Sequence, residues 1–145
     1  MRAVIQRVNQ AEVHVSGQLV SSIGPGIVTL LGVARGDTEA SAQKLIRKIL
    51  ELRIFEDEHG KMNRSLLDIN GQHLIISQFT LCAETSSGRR PSFMNAESPE
   101  LAKKLWEYSI KTSQLAKVMT VGGIFQADMQ VNLINNGPVT FVLES

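Results

Sequence analysis

The sequence predicts a single α/β domain of the α+β type, in which mostly antiparallel strands form a barrel-like sheet beside two main helices. The length of 145 residues suits one domain with one core, and the apolar fraction of 43% and charged fraction of 20% are ordinary for a soluble globular protein. Short stretches of alternating apolar and polar residues make up most of the chain, whereas only two stretches have helical spacing. No repeat or linker divides the sequence, so we expect the domain to span residues 1–145.

Four strands are predicted in the first quarter of the chain. Apolar residues alternate with polar ones over residues 1–8 and 11–15. Ser16-Gly17 is a turn signal, and it leads to a third strand at 18–23. After a Gly-Pro-Gly sequence, the apolar run 27–33 predicts a buried strand.

The first helix is predicted over residues 38–52, where Asp37 and Thr38 can cap the N-terminus. Its apolar stripe has helical spacing and consists of Ala42, Leu45, Ile46, Ile49 and Leu52. A short strand at 53–55 and a polar turn at 56–61 follow.

The second helix is predicted from Ser98-Pro99-Glu100 to about residue 115, because a cap residue, a proline at the first helical position and an acid form a strong start signal. A strand at 73–81 and a polar loop at 83–97 are predicted before it. The closing strands are predicted near residues 117–121, 129–135 and 139–143.

The most unusual local sequence is residues 135–140, Asn-Asn-Gly-Pro-Val-Thr, between the last two apolar runs. Asn-Gly at this place predicts a hairpin turn. Pro138 is a poor start for a returning strand because it has no N–H to donate and a fixed φ. It also permits a cis peptide at Gly137-Pro138, which only about 5–6% of X–Pro bonds adopt in folded proteins. Backbone groups kept out of the ladder can bind something else.

Composition and charge exclude several classes of protein. The net charge of +1 argues against a broad polybasic surface, so any contact with nucleic acid should be local. No apolar run is long enough for a transmembrane helix. The three histidines lie far apart, no Cys/His cluster has zinc spacing, and no Walker-type loop occurs, so we predict no metal and no cofactor. The single cysteine suits a reducing cytosol, and we expect a cytoplasmic protein.

Ser77-Gln78-Phe79-Thr80 ends a strongly apolar stretch and is a candidate cluster of hydrogen-bond donors. In a strand, Gln78 and Phe79 would point to opposite faces. The alternative is that threonine and phenylalanine are present because they favour strands. Cys82 is better explained as a buried small apolar residue than as a nucleophile, since no histidine is near it in sequence.

Three further places could bind a ligand. Arg89 and Arg90 lie in a loop flanked by glycine and proline and could hold phosphate, or could be a solvated pair. Phe125 and Met129 follow a double glycine and could line a pocket or pack in the core. Arg7 lies among apolar residues and faces the surface or donates to backbone carbonyls elsewhere.

Two of these segments together resemble the paired signatures of the D-aminoacyl-tRNA deacylases. They are Ser77-Gln78-Phe79-Thr80-Leu81 and residues 135–140. Other stretches agree in order and spacing, so that the resemblance covers essentially the whole chain: Ile5-Gln6-Arg7-Val8, Arg53-Ile54-Phe55, Gly60-Lys61-Met62-Asn63, Arg90-Pro91-Ser92-Phe93 and Ala127-Asp128-Met129.

The resemblance implies an enzyme that hydrolyses the ester between a D-amino acid and the terminal ribose of tRNA, as a homodimer with active sites at the subunit interface. Gly137-Pro138 would be the family's Gly-cisPro element, which projects into the partner's pocket and faces the α-amino end of the substrate. Its backbone would exclude L-aminoacyl groups by a steric clash, whereas glycyl-tRNA would not be excluded. Arg7 would fix the orientation of this element.

The resemblance also implies roles for the remaining candidates. Phe79, Phe125 and Met129 would line the pocket, while Gln78 and the backbone at Phe79 and Thr80 would stabilise the ester carbonyl. A bare threonine hydroxyl is a weak nucleophile, so we expect water assisted by the ribose hydroxyl rather than attack by Thr80. Arg89 and Arg90, and with less positional support Lys103, Lys104 and Lys111, would contact the acceptor end of the tRNA.

Two alternatives remain open from the sequence. The chain could be a non-catalytic dimeric RNA-binding module in which the Gly-Pro turn serves only the dimer interface. It could also be a related editing deacylase with a different substrate preference and a trans Gly–Pro bond.

Overall fold

The computed structural model describes residues 1–145, which form eight strands and two α-helices. In chain order these are β1 (Arg2–Val15), β2 (Gln18–Ile23), β3 (Gly26–Gly32), α1 (Glu39–Glu51), β4 (Phe55–Glu56), β5 (Met62–Arg64), β6 (Gln72–Ser77), a 3₁₀ turn (Phe79–Cys82), α2 (Pro99–Leu115), β7 (Thr120–Gly122) and β8 (Gln130–Glu144). Neither helix combines the length and the apolar character that a membrane span requires.

Strand β1 organises the main sheet because it pairs with three other strands. β8 runs antiparallel along one edge of β1, and β3 and β2 pair with successive halves of the other edge, also antiparallel. The sheet continues from β3 to β6 and from β6 to β7 by parallel pairing. The path of paired strands is β2-β1-β3-β6-β7, and β8 pairs with the remaining edge of β1. The result is a mixed, nearly closed barrel-like sheet in which antiparallel pairs predominate.

The two helices cover one face of this sheet. Apolar residues of α1, such as Leu45 and Ile49, pack with Ile5 and Ile27 of the sheet and with Trp106 of α2 in the larger core. A second, smaller core lies on the other face and consists of Val8, Ala11, Val13, Ile23, Val28, Leu74 and Ile76. The sheet is therefore buried on both faces along much of its length.

The predictions of both helices are confirmed. Thr38 is the N-cap of α1, since its hydroxyl accepts from the Ser41 N–H at 3.3 Å and the Ser41 hydroxyl accepts from the Thr38 N–H. α2 begins at Pro99 as predicted, but the Ser98 side chain makes no capping bond. The Glu97 carboxylate instead accepts from the Ser98 N–H at 2.7 Å.

Four strand predictions are wrong in their bounds. The predicted strands 1–8 and 11–15 are one continuous strand, β1. The strand predicted at 73–81 ends at Ser77, and a 3₁₀ turn follows, so the residues from Gln78 to Thr80 do not alternate across a strand. The strand predicted at 53–55 is β4 at Phe55–Glu56, and its partner β5 was not predicted.

The hairpin predicted at Asn135–Thr140 is also wrong, because the chain does not reverse there. β8 continues along β1 on both sides of the Asn-Gly-Pro sequence: Thr140 pairs with Gln6, and Asn135 pairs with Val8. Residues 136–139 therefore form a bulge opposite Arg7. The Asn135 side chain closes this bulge, since its Oδ1 accepts from the Val139 N–H at 2.9 Å and its Nδ2 donates to the Val139 carbonyl at 3.2 Å.

Candidate functional site

A cavity of about 790 Å³ opens where β6 ends, between the sheet and the start of α2. We call it the main cavity. Eleven of its 16 lining residues are hydrophobic. Five residues predicted for the site line it: Ser77, Gln78, Phe79, Phe125 and Met129. An apolar cleft with few polar groups is the usual form of a binding site for a small ligand group.

The turn at the mouth of this cavity is held against β3. The Gln78 N–H donates to the Leu31 carbonyl at 2.8 Å, and the 3₁₀ turn begins at the next residue. Gly32 makes this approach possible, because a Cβ there would lie 3.1 Å from the Gln78 carbonyl oxygen. The N–H groups of Phe79 and Thr80 open the turn and so have no acceptor within it. These two N–H groups can therefore donate to an oxygen of a substrate.

The Thr80 hydroxyl is not arranged as an activated nucleophile. It is exposed, does not line the main cavity, and receives a hydrogen bond from Gln78 Nε2. The nearest histidine in sequence, His73, is buried and directs its nitrogens to Thr29 Oγ1 at 2.7 Å and Ser113 Oγ at 3.0 Å. Burial lowers the pKa of His73 to about 3. No base is therefore positioned to take the proton of Thr80.

Cys82 ends the same turn and is buried. Burial raises the pKa of its thiol, so the thiolate that a nucleophile requires is disfavoured. The structure agrees with the interpretation of Cys82 as a small apolar residue.

The aromatic and sulfur side chains of the cavity are placed by close glycine contacts. The Phe125 ring lies 5.8 Å from the Trp106 ring. A Cβ at Gly122 would come within 2.8 Å of Trp106, and a Cβ at Gly123 would overlap the Met129 sulfur. The double glycine thus allows Trp106 and Met129 to approach the backbone that leads to Phe125.

Arg7 holds the bulge of β8 from the opposite strand. Its side chain is 5% exposed, its Nε donates to the Asn136 carbonyl at 2.8 Å, and its Nη1 donates to the Ile54 carbonyl at 2.7 Å. Its Nη2 lies 3.5 Å from Glu56 Oε1. Arg7 is therefore not a surface-facing side chain but donates to backbone carbonyls.

The Gly137-Pro138 peptide in this bulge is cis. Gly137 has φ +155°, and a Cβ there would overlap the Val139 backbone nitrogen, so the position requires glycine. Neither Gly137, Pro138 nor Arg7 lines the main cavity of the same chain. The predicted site residues therefore fall into two groups, one at the cavity and one at the bulge.

Arg89 and Arg90 belong to neither group. They lie on an exposed arm, residues 83–97, whose two sides are joined by reciprocal hydrogen bonds of 2.8 and 3.0 Å between Glu84 and Ser92. Neither arginine is paired with a carboxylate in the structure. Their guanidinium groups are free to meet an anion.

Glu97, Ala102 and Trp106 line the main cavity but were not predicted as site residues. Trp106 and Ala102 lie on the apolar side of α2, where core packing is the ordinary explanation. Glu97 is the only ionisable side chain of the lining, and a lone acid before a helix carries no signal that separates it from a solvated residue.

Comparison with known proteins gives a consistent result. The family model described as D-Tyr-tRNA(Tyr) deacylase matches residues 4–144. The D-aminoacyl-tRNA deacylase of Persephonella marina is 54% identical over all of this chain and 98% of that protein, and that of a Sulfurihydrogenibium species is 55% identical with the same coverage.

Two solved structures also resemble the fold. The protein called c-Myc DNA Unwinding Element Binding Protein has a TM-score of 0.93 and 40% identity, covering all of this chain and 99% of that chain. A probable eukaryotic D-amino acid tRNA deacylase has a TM-score of 0.84 at 16% identity, covering 99% of this chain and 98% of that chain, which is a likeness of fold alone.

Proposed function

This chain belongs to the D-Tyr-tRNA(Tyr) deacylase family and is a D-aminoacyl-tRNA deacylase, a hydrolase of the aminoacyl-tRNA ester bond, and on that premise we propose how it selects its substrate. The main cavity receives the terminal adenosine and the aminoacyl group. The Gly137-Pro138 bulge of a second copy closes that cavity and excludes L-aminoacyl groups. The enzyme acts in the cytoplasm in translation quality control.

The observation that carries this proposal is the position of the bulge. It is bound rigidly by Arg7 and Asn135, yet it contributes nothing to the cavity of its own chain. A bulge fixed in this way can complete a cavity on another protomer. The exposed apolar side chains of β8, among them Ile134 and Val142, support a homodimer in which this strand is covered.

Chirality is then selected by backbone rather than by side chains. When the amino group and the ester are fixed, the side chains of D- and L-amino acids point in opposite directions. Carbonyls of the bulge can bind the α-ammonium while its backbone occupies the L direction. Rejecting the L form by about 10⁴-fold requires about 5.5 kcal/mol, which a rigid clash can supply. Glycine has no side chain to clash, so glycyl-tRNA is also hydrolysed.

Hydrolysis proceeds by positioning rather than by a covalent step. Gln78 and the N–H groups of Phe79 and Thr80 receive the ester carbonyl and stabilise the charge that develops on it. The neighbouring ribose hydroxyl helps to activate water, because no side chain base reaches Thr80. Arg89 and Arg90 hold phosphates of the acceptor end of the tRNA.

One assay tests the proposal. Catalytic amounts of enzyme are incubated with matched D-, L- and glycyl-tRNAs, and the release of amino acid is followed. Release from the D and glycyl substrates but not from the L substrate is expected. Comparable release from D and L substrates would overturn the chiral filter and favour an editing deacylase with another substrate preference. If the enzyme is a monomer at the concentration of the assay, a second copy cannot contribute to the site.

A further inference from the structure

The rings of Phe79 and Phe93 form an exposed aromatic rim at the mouth of the main cavity. Their centroids are 4.9 Å apart, with an interplanar angle of 61°. Phe79 is 58% exposed and lines the cavity, whereas Phe93 is 40% exposed and does not. Phe93 is therefore the next aromatic surface outward from the cavity.

The backbone fixes Phe93 on both sides. Ser92, directly before it, makes two hydrogen bonds with Glu84 across the arm. The Phe93 carbonyl accepts from the Ala96 N–H at 3.0 Å. The exposed Phe93 ring is therefore held in a fixed position, where it can offer its face for stacking.

The same arm also carries positive charge. Arg89 and Arg90 lie four and three residues before Phe93, on the same arm, and neither is paired with a carboxylate. The arm that carries the outer ring of the aromatic rim therefore also carries a pair of free guanidinium groups. Single-stranded nucleic acid has matching groups, because its bases stack on aromatic rings while its phosphates bind arginine.

We propose that the Phe79–Phe93 rim is a stacking subsite for the nucleobase that precedes the terminal adenosine, which is a cytosine in tRNA. This inference rests on the proposed function, in which the terminal adenosine lies in the main cavity. Stacking uses the π-face that every base has, so the subsite reads the presence of an unpaired base rather than its identity. It gives the enzyme affinity for the single-stranded end that all its substrates share.

Two small substrates separate this subsite from the rest of the site. One is the D-aminoacyl ester of adenosine, and the other is the same ester on the dinucleotide cytidylyl-adenosine. Base–aromatic stacking contributes about 1–3 kcal/mol, so the wild-type enzyme should have a KM roughly 5- to 150-fold lower for the dinucleotide, with kcat nearly unchanged.

Variants of Phe93 supply the decisive comparison. Phe93→Ala should remove the advantage of the dinucleotide and leave hydrolysis of the adenosine ester unchanged, while Phe93→Trp should restore the advantage. Met94→Ala is the matched control, because Met94 is the adjacent residue, is 73% exposed and should affect neither substrate.

Three outcomes would contradict the subsite. One is a wild-type enzyme with no preference for the dinucleotide. Another is an equal loss of activity on both substrates in Phe93→Ala. If the variant also has a lower mass in sedimentation, the ring belongs to a contact between subunits. The third is an unchanged dinucleotide advantage in Phe93→Ala. A wild-type enzyme that hydrolyses neither these esters nor D-aminoacyl-tRNA would instead overturn the proposed function, and the subsite with it.

Discussion

Arg7 Nε donates to the backbone carbonyl of Asn136 across 2.8 Å, although 129 residues separate the two in sequence. The same guanidinium donates to the Ile54 carbonyl, so one buried side chain ties the bulge of β8 to the segment before β4. A planar guanidinium donates in several fixed directions at once, which an ammonium cannot reproduce. Arg7 therefore binds the backbone directly before Gly137 and Pro138, and we propose that it fixes the orientation of this element.

We predict that Arg7→Lys reduces the preference for D over L substrates. The change removes at least one hydrogen bond from a charged donor to a buried carbonyl, worth about 1.5–3 kcal/mol, so the ratio of kcat/KM values should fall roughly 10- to 150-fold. Parallel kinetics on matched D- and L-aminoacyl-tRNAs measure the ratio. Glu56→Gln is the control, since it alters the exposed ion-pair partner and leaves both carbonyl bonds in place. An unchanged ratio in Arg7→Lys would remove Arg7 from chiral selection.

Thr80→Ala should lower single-turnover hydrolysis by less than about tenfold. The hydroxyl accepts from Gln78 and has no base beside it, so its loss loosens a positioned side chain without removing a reacting group. Thr80→Ser keeps the hydroxyl and serves as the control. A loss of several orders of magnitude in Thr80→Ala, with substrate binding retained and activity restored by serine, would show that Thr80 attacks the ester.

The sequence predicted best those elements whose signals are local. The cap at Thr38 and the proline at Pro99 each act within one turn of the helix that they start, so both helices could be placed closely. The bulge at residues 136–139 could not be predicted in this way. Whether Asn-Gly-Pro reverses the chain depends on β1, which is long enough to pair with both halves of β8.

The candidate site has the same division between residues with a local sequence signal and residues placed by distant contacts. Ser77, Phe125 and Met129 line one cavity because a strand end and glycine contacts bring them together. For Phe125 and Met129 this agrees with pocket lining, one of the two interpretations that the sequence left open. Glu97 reaches the cavity only because its N–H pairs with the Val33 carbonyl at the end of β3. That contact joins distant parts of the chain and leaves no mark in the sequence near Glu97.

Protein stability should fall as the pH falls below about 6.5, because of His73. Burial lowers its pKa to about 3 in the folded protein, so between these values the unfolded chain binds a proton that the folded chain does not. The contribution of neutral His73 to the free energy of unfolding is complete above pH 6.5. Below that pH it decreases by about 1.4 kcal/mol per pH unit. Urea unfolding between pH 7.5 and 4.5 measures the slope.

His73→Gln is the control for this stability profile. Glutamine can still hydrogen-bond with Thr29 and Ser113, but it does not titrate. The variant should therefore have a flatter stability profile between pH 6.5 and 4.5, whatever its stability at neutral pH. The same slope in both proteins would assign the acid sensitivity to other groups.

Arg89→Ala and Arg90→Ala should weaken the binding of tRNA and make it less sensitive to salt. Each guanidinium that neutralises one phosphate of a single strand contributes about 0.7 to the slope of log K against log salt concentration, so each change should reduce the slope by roughly that amount. KM for D-aminoacyl-tRNA over a series of salt concentrations measures this slope.

Hydrolysis of the D-aminoacyl ester of adenosine should not change in either variant, since that ester has no phosphate. Arg47→Ala is the matched control, because Arg47 is already paired with Glu51 on α1. An identical salt slope in all four proteins would exclude Arg89 and Arg90 from contact with the tRNA backbone.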